Sequence, residues 1–128
     1  MSYYFSKSTS LPFEQAIERV SQLLADSGFG ILTEIDVAAT MKKKLDEEFP
    51  PYRILGACNP HFALKALTAE NKIGTMLPCN VIVREQSDGR IEVAAVDPIA
   101  SMQAVANPAL AQIASQVQSQ LKAVIEAV

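Results

Sequence analysis

Two short segments of this 128-residue chain hold the side chains whose chemistry is most distinctive. Cys58-Asn59-Pro60 and Pro78-Cys79-Asn80 contain both cysteines of the sequence, and each segment also carries an asparagine and a proline. A thiolate can act as a nucleophile, a redox group or a ligand for a soft metal, and an asparagine amide both donates and accepts hydrogen bonds. We therefore treat these six residues as the candidate binding site.

The position of Cys58 favours thiol chemistry. Asn59 is typical of the residue that caps a helix N-terminus, and Pro60 is typical of the first helical position. A helix N-terminus can lower the pKa of a neighbouring thiol, which favours the thiolate. If the strands next to Cys58 and Cys79 are antiparallel neighbours, the two thiols meet at one rim of the sheet. The competing interpretation is that both are small buried apolar side chains, as free cysteines commonly are.

Two other kinds of site can be built on the same segments. Cys58, His61 and Cys79 form a weaker candidate set of metal ligands, since structural zinc sites use four ligands and this spacing is not that of paired C-x-x-C motifs. The helix start at Asn59-Pro60 is typical of sites for a small anion such as phosphate or a carboxylate. Its alternative is ordinary capping and turn chemistry.

The carboxylates of the chain do not indicate a reaction. Those at the ends of predicted elements are Glu34, Asp36, Glu70, Glu85 and Asp97, and the sequence alone places no two of them face to face. Neither a Gly-x-Ser-x-Gly motif nor a Walker-type phosphate loop is present. The sequence therefore names no catalytic residue and no cofactor.

Composition predicts a single globular domain over residues 1–128, with 49% hydrophobic and 20% charged residues. A net charge of −3 argues against nucleic-acid binding, which depends on many basic side chains. The basic run at 42–44 is followed at once by the acidic run at 46–48, which predicts ion pairs on a solvated helix face. No stretch approaches the ~20 apolar residues of a membrane span, and the N-terminus does not resemble a signal peptide. We therefore expect a cytoplasmic protein with free thiols.

The elements that position the site follow from hydrophobic periodicity, in the predicted order β-α-β-α-β-α-β-β-α. An apolar stripe begins at Phe13 in the first helix, a thin stripe marks a peripheral second helix that ends at 49–51, and a long stripe continues to the C-terminus. Residues 52–57 are apolar on both faces apart from Arg53, which predicts a central strand covered on both sides, by this chain or by a partner. Ser87-Asp88-Gly89 predicts a hairpin. The fold class is therefore α+β, with a mainly antiparallel five-stranded sheet covered by helices on one face.

A family resemblance rests on the following segments: Pro51-Tyr52-Arg53-Ile54-Leu55-Gly56-Ala57-Cys58-Asn59-Pro60, Ile73-Gly74, Leu77-Pro78-Cys79-Asn80-Val81 and Asp97-Pro98. Together they resemble the uncharacterised family called domain of unknown function 302, over almost the whole chain. The resemblance implies a small bacterial or archaeal domain of TATA-box-binding-protein-like architecture that forms a homodimer. It implies no activity or substrate. Asn59, Pro60 and Pro78 match the wider pattern of the family, whereas Cys58 and Cys79 match only one branch.

The leading hypothesis is a homodimeric binding or regulatory module whose site is the rim formed by the segments at 58–60 and 78–80. The first alternative is thiol chemistry by Cys58 and Cys79, as a redox pair, a sulfur carrier or a soft-metal site. The second alternative is a structural domain whose whole purpose is dimerisation.

Overall fold

Strands and helices alternate along the computed structural model, which describes residues 2–128, until a hairpin joins the last two strands. The strands are β1 (Tyr4–Thr9), β2 (Gly30–Asp36), β3 (Tyr52–Cys58), β4 (Cys79–Glu85) and β5 (Ile91–Val96). The helices are α1 (Phe13–Asp26), α2 (Val37–Leu45), α3 (Pro60–Ala69), α4 (Pro98–Ser101) and α5 (Pro108–Ala127). The predicted order is confirmed, with two short additions: α4, and a 3-10 turn at Ile73–Met76.

All five strands form one sheet in the order β1-β5-β4-β3-β2, with every neighbouring pair antiparallel. This confirms the predicted fold class, but the prediction that β3 is the central, doubly covered strand is wrong. β4 is the central strand, and β3 has a buried face and an open face. Leu55 and Ala57 are buried on one side, whereas Tyr52 and Ile54 on the other remain partly exposed. The apolar residues on both faces of β3 therefore do not reflect cover by this chain on both sides.

The hydrophobic core lies between the sheet and a layer formed by α1 and α5, which pack on β1, β4 and β5. Each helix turns one apolar stripe towards the sheet, as the periodicity predicts. The largest fully buried side chains of these helices are Val20, Leu24, Leu121 and Ile125. α3 and α4 pack against α5 and extend the helical layer towards the end of the sheet where β3 finishes.

The second helix is peripheral, as predicted: no residue of α2 is buried. Lys42 forms ion pairs of 2.8 Å with Asp46 and 2.9 Å with Glu48, which is the predicted pairing of the two charge runs. The helix stops at Leu45, earlier than the prolines at 50–51 predict. Asp46 adopts a left-handed conformation with φ 53°, and this geometry ends the helix before the prolines are reached.

Asparagine and aspartate caps begin the helices near the rim. Asn59 Oδ1 accepts the His61 N–H at 3.1 Å, and Asn107 Oδ1 accepts the Ala109 N–H at the same distance, each with a proline at the next position. In α3 the apolar side chain of Leu67 is not part of the core, since it is 45% exposed. Among residues 2–128, none of the helices combines the length and apolarity that crossing a membrane requires.

Candidate functional site

The two candidate segments meet because β3 and β4 are antiparallel neighbours. Ala57 pairs with Cys79 across the two strands, so that the last residue of β3 lies beside the first residue of β4. Cys58 and Cys79 line one cavity, together with Asn59 and with Pro78, whose peptide bond with Leu77 is cis. We call these four residues and their cavity the cysteine end of β3.

The cavity measures about 30 Å³ and lies where the rim of the sheet meets the helical layer. One water needs ~10–15 Å³ on this measure, so the space suits a group of two or three heavy atoms. Apart from the thiols and the Asn59 amide its walls are apolar, and they include Phe29, Ala57, Phe62, Ala63, Leu77, Met102, Ile113, Ala114 and Val117. Several of these residues are only half-buried, which leaves the cavity reachable from solvent.

The electrostatic setting of the thiols agrees with the interpretation of buried side chains and not with a pKa lowered by the helix start. Burial raises the pKa of Cys79 to about 11, with a further contribution from Cys58, and burial also raises the pKa of Cys58. The helix start does not offset this effect, because Pro60 has no N–H and the N–H of His61 is already bonded to the Asn59 side chain. Both thiols are therefore neutral at neutral pH.

Asn59 has a donor that no group within the described residues uses. Its Oδ1 caps α3, whereas its Nδ2 makes no hydrogen bond within residues 2–128. The amide lies over the turn that ends α1, where Gly28 has a φ of 88° and a Cβ at that glycine would lie 3.3 Å from Nδ2. Asn59 also lines the cavity, so the capping bond holds its amide beside that space with Nδ2 unbonded.

The remaining candidates lie outside the cavity. Asn80 pairs with Gly56 and lies exposed on the open face of the sheet, because successive residues of a strand point to opposite faces. Pro60 and His61 are exposed in the first turn of α3. Within residues 2–128 no three His, Cys, Asp or Glu side chains are gathered as a metal ion would require. The structure therefore does not bring Cys58, His61 and Cys79 together as a ligand set.

Close packing on the open face of β3 supports the cysteine end. A Cβ placed on Gly56 would lie 2.7 Å from Cγ of Pro78 and closer still to the hydroxyl of Thr33. Only glycine fits here, since contacts under 3.0 Å do not occur for real Cβ atoms. The ring of Pro78 therefore lies directly against the backbone of β3.

The opposite end of β3 carries an ion cluster that the sequence did not predict, which we call the arginine end. The Arg53 guanidinium lies 2.7 Å from Glu34, 3.2 Å from Glu14 and 3.6 Å from Asp36, and 5.6 Å from the centre of the Phe13 ring. The hydrogen bond with Glu34 is the main reason that the pKa of Arg53 is raised. Arg53 is only 16% exposed, and these ion pairs compensate the burial of its charge.

The signal that could have located the arginine end was a single arginine in an otherwise apolar strand, with two carboxylates at i and i+2 in the preceding strand. Two of the scattered carboxylates farther along the chain also have structural partners. Asp97 accepts hydrogen bonds from the Gln118 amide, and Glu70 accepts one from Asn107.

The face of the sheet opposite the helices remains open. Strand alternation places Tyr4, Tyr52 and Ile82 on this face, and Tyr4 is 43% exposed. The charged pair of this face, Arg84 and Glu92, is joined by a 2.7 Å hydrogen bond. The open face is thus largely apolar, and the charges of this pair balance one another.

Comparison with known proteins places the chain in a family. The family model described as domain of unknown function DUF302 matches residues 5–128. The structure is similar to the crystal structure of an uncharacterized conserved protein DUF302 from Bacillus stearothermophilus, with a TM-score of 0.92, 26% sequence identity and 98% of each chain covered. Comparison with curated proteins found no match. Because the family match extends over nearly the whole chain, the protein belongs to the DUF302 family.

Proposed function

We propose that the protein is a small homodimeric binding module whose ligand site is the cysteine end of β3. One observation carries this proposal: the small apolar cavity at which Cys58, Asn59, Pro78 and Cys79 converge. Ligand sites are typically concave and mostly apolar, with a few polar groups that fix orientation. The free Nδ2 of Asn59 supplies such a group here.

Thiol chemistry is the second candidate, because both thiols line the same cavity. Redox exchange, sulfur transfer and soft-metal binding all use the thiolate. Burial raises the pKa of both thiols, which disfavours that form at neutral pH. The setting therefore supports a role for the thiols as polarisable, apolar walls of a binding site.

The proposed homodimer uses the open face of the sheet. Its apolar residues, among them Tyr4, Tyr52 and Ile82, are at least partly exposed, and the Arg84–Glu92 pair leaves the face without net charge. In a two-fold symmetric dimer, the contact is formed by the same face of both subunits. A face with a net charge would therefore repel the same face of the second subunit. A balanced face fits a second copy of this chain.

The ligand site can be tested with xenon, which binds small apolar cavities. We expect xenon under pressure to shift the backbone amide NMR signals of Cys58, Ala63 and Cys79 in the wild-type protein. Ala63→Leu fills the cavity and should abolish these shifts. Ala69→Leu makes the same change at an exposed position of the same helix, outside the cavity, and should retain them. Equal xenon shifts in both variants, or none in the wild type, would refute the proposed site.

The homodimer can be tested by sedimentation velocity on two matched variants. Ile82→Lys puts a charge in the middle of the open face, and Leu64→Lys puts the same charge on the exposed side of α3, where Leu64 is 69% exposed. We expect a wild-type dimer that only Ile82→Lys converts to a monomer. A monomeric wild-type protein would contradict the proposed homodimer. Dissociation by Leu64→Lys alone would place the dimer interface at α3 instead of the open face. A dimer without xenon binding would instead favour a purely structural dimerisation domain.

We place this module in the cytoplasm on the chemistry of its thiols. Cys58 and Cys79 are both free, and reduced thiols are characteristic of the cytosol. Rapid alkylation under denaturing conditions during cell lysis should trap both thiols in the reduced state. A disulfide trapped under the same conditions would contradict this assignment and would favour a redox pair.

A further inference from the structure

We infer that the ligand of the cysteine end is a short, uncharged amphiphile: an apolar chain end fills the cavity, and a carbonyl oxygen accepts a hydrogen bond from Asn59 Nδ2. This inference rests on the proposed function, because it names the class of ligand that the same site takes. It depends on three features of the site: the size and apolarity of the cavity, the unused amide donor, and the absence of positive charge in its walls.

The cavity selects the apolar part of the ligand. With about 30 Å³ of space, it admits a chain end of two or three carbons but not a ring. The side chains that face this space include Phe62, Ala63 and Val117, which offer no hydrogen bonds to a polar group. A polar chain end placed here would lose its hydration without compensation, so a short alkyl group is favoured.

The amide of Asn59 selects the polar part. Its Oδ1 is held by the His61 N–H, so that Nδ2 is the atom left to face a ligand. Nδ2 donates and does not accept, and it therefore requires an acceptor such as a carbonyl oxygen. The capping bond orients the amide before the ligand arrives, which reduces the entropy that binding costs.

The walls of the cavity favour an uncharged acceptor over an anion. No lysine, arginine or histidine is among the residues that line it, and Arg53 lies at the opposite end of β3. The first turn of α3 offers little to an anion, because Pro60 has no N–H and the N–H groups of His61 and Ala63 are bonded to Asn59. Only the Phe62 N–H is without a partner in that turn, among residues 2–128. A carboxylate at this site would be partly desolvated without an opposite charge. The small anionic ligand expected from the helix start is therefore replaced by a neutral one.

The test uses 2-pentanone and butyrate, which carry the same propyl group on a ketone and on a carboxylate. Each is titrated into the wild-type protein and into Asn59→Asp and Asn80→Asp, with the shifts of the backbone amide signals around the cavity as the readout. Asn59→Asp keeps a capping oxygen for α3 but removes the donor. Asn80→Asp makes the same change on the open face, outside the cavity.

We expect 2-pentanone to bind the wild-type protein roughly tenfold more tightly than butyrate, and Asn59→Asp to lose roughly tenfold in affinity for 2-pentanone, about the effect of one good hydrogen bond. Asn80→Asp should bind as the wild type does. Equal binding of 2-pentanone by all three proteins, or tighter binding of butyrate by the wild type, would overturn the ligand class. If xenon still shifts the cavity signals in that case, the site stands and only its ligand class falls. If neither xenon nor 2-pentanone shifts them, both proposals fall.

Discussion

The two ends of β3 belong to the same strand but differ in how their polar groups are compensated. At the arginine end a buried charge is compensated by three carboxylates, with Glu34 as close as 2.7 Å. At the cysteine end the groups are neutral, a cavity of about 30 Å³ remains, and the Asn59 amide keeps an unused donor. The chain itself thus supplies the opposite charges at the arginine end, where only the buried Nε of Arg53 lacks a hydrogen-bond partner among residues 2–128. At the cysteine end we propose that a ligand supplies the missing partner.

This contrast teaches that charge density alone does not mark a functional site. Arg53 with Glu14, Glu34 and Asp36 is the most highly charged cluster around β3, yet its groups bind one another. A closed set of ion pairs orders three separate elements, α1, β2 and β3. The cysteine end is less polar, and it has the features of a binding site: a cavity and an unused hydrogen-bond donor. The following predictions test this difference, from the largest expected effect to the smallest.

The largest effect is expected between the two ends, at Gly56. Gly56→Ala should lower the free energy of unfolding by about 3 kcal/mol, because the new methyl group would overlap Pro78 and Thr33. Gly30→Ala is the matched control, since the nearest atom to its added Cβ, the Cys58 carbonyl oxygen, lies 4.0 Å away. Urea unfolding followed by circular dichroism measures both. Equal effects of the two substitutions would show that the contact of Pro78 with β3 is not tight.

The arginine end should contribute the next largest effect. Arg53→Met should destabilise the protein by about 2.5 kcal/mol, because three carboxylates lose their common partner, and their partial exposure limits the loss. Arg84→Met breaks the Arg84–Glu92 pair on the open face, where Arg84 is 40% exposed, and should cost less than ~1 kcal/mol. Urea unfolding at low and high salt separates the two. A smaller loss for Arg53→Met than for Arg84→Met would contradict the closed cluster.

At the cysteine end the prediction concerns pH. The pKa of Cys79 is about 11 in the folded protein against an ordinary 9.0, so the folded state holds this proton more tightly than the unfolded state. The corresponding stability is fully present below pH 9 and is lost as the pH rises through about 11. The loss should reach about 2 kcal/mol at pH 11 relative to pH 8.

Cys79→Ala lacks the thiol and controls for the other groups that titrate at high pH. The difference in unfolding free energy between wild type and Cys79→Ala, measured from pH 8 to pH 11, should therefore shrink by the amount just given. A difference that does not change with pH would mean that burial does not hold Cys79 in its neutral form.

The smallest effects should separate the carboxylates of the arginine end. Glu34→Gln should cost about 1 kcal/mol, since Glu34 makes the shortest bond to Arg53. Asp36→Asn should cost less than ~0.5 kcal/mol, because asparagine can still cap α2 and the lost ion pair is long at 3.6 Å. Chemical unfolding resolves this difference if both variants are compared in one buffer. The reverse order would show that the cap of α2, not the bond to Arg53, dominates.

Much of the fold could be predicted from the sequence, because periodicity, caps and turn residues act locally. The Asn-Pro helix starts at 59–60 and 107–108 and the Asp-Gly hairpin at 88–89 are each determined by neighbouring residues. Strand order is not local, and the position of β4 at the centre of the sheet could not be read from its own residues.

The candidate site was also predictable in part, because its unusual residue types can be read directly from the sequence. The unusual residue types located Cys58, Asn59, Pro78 and Cys79. Strand alternation then turned Asn80 to the open face, which required the register of β3 with β4. The pKa shifts of the thiols could not be predicted from the motif, because they depend on burial by distant helices. The helix N-terminus alone predicted a lowered pKa for Cys58, whereas this pKa is raised.

The most direct test of the central claim is the pH dependence of Cys58 labelling on the native protein, with Cys58→Ser and Cys79→Ser beside it. If the cysteine end is a neutral, apolar binding site, Cys58 should react slowly at neutral pH, with a pKa above its ordinary value of 9.0. Cys79 should react only on unfolding, because it is 8% exposed. Fast labelling of Cys58 with a pKa below that ordinary value, altered by Cys79→Ser, would contradict the account and would assign the cysteine end to thiol chemistry.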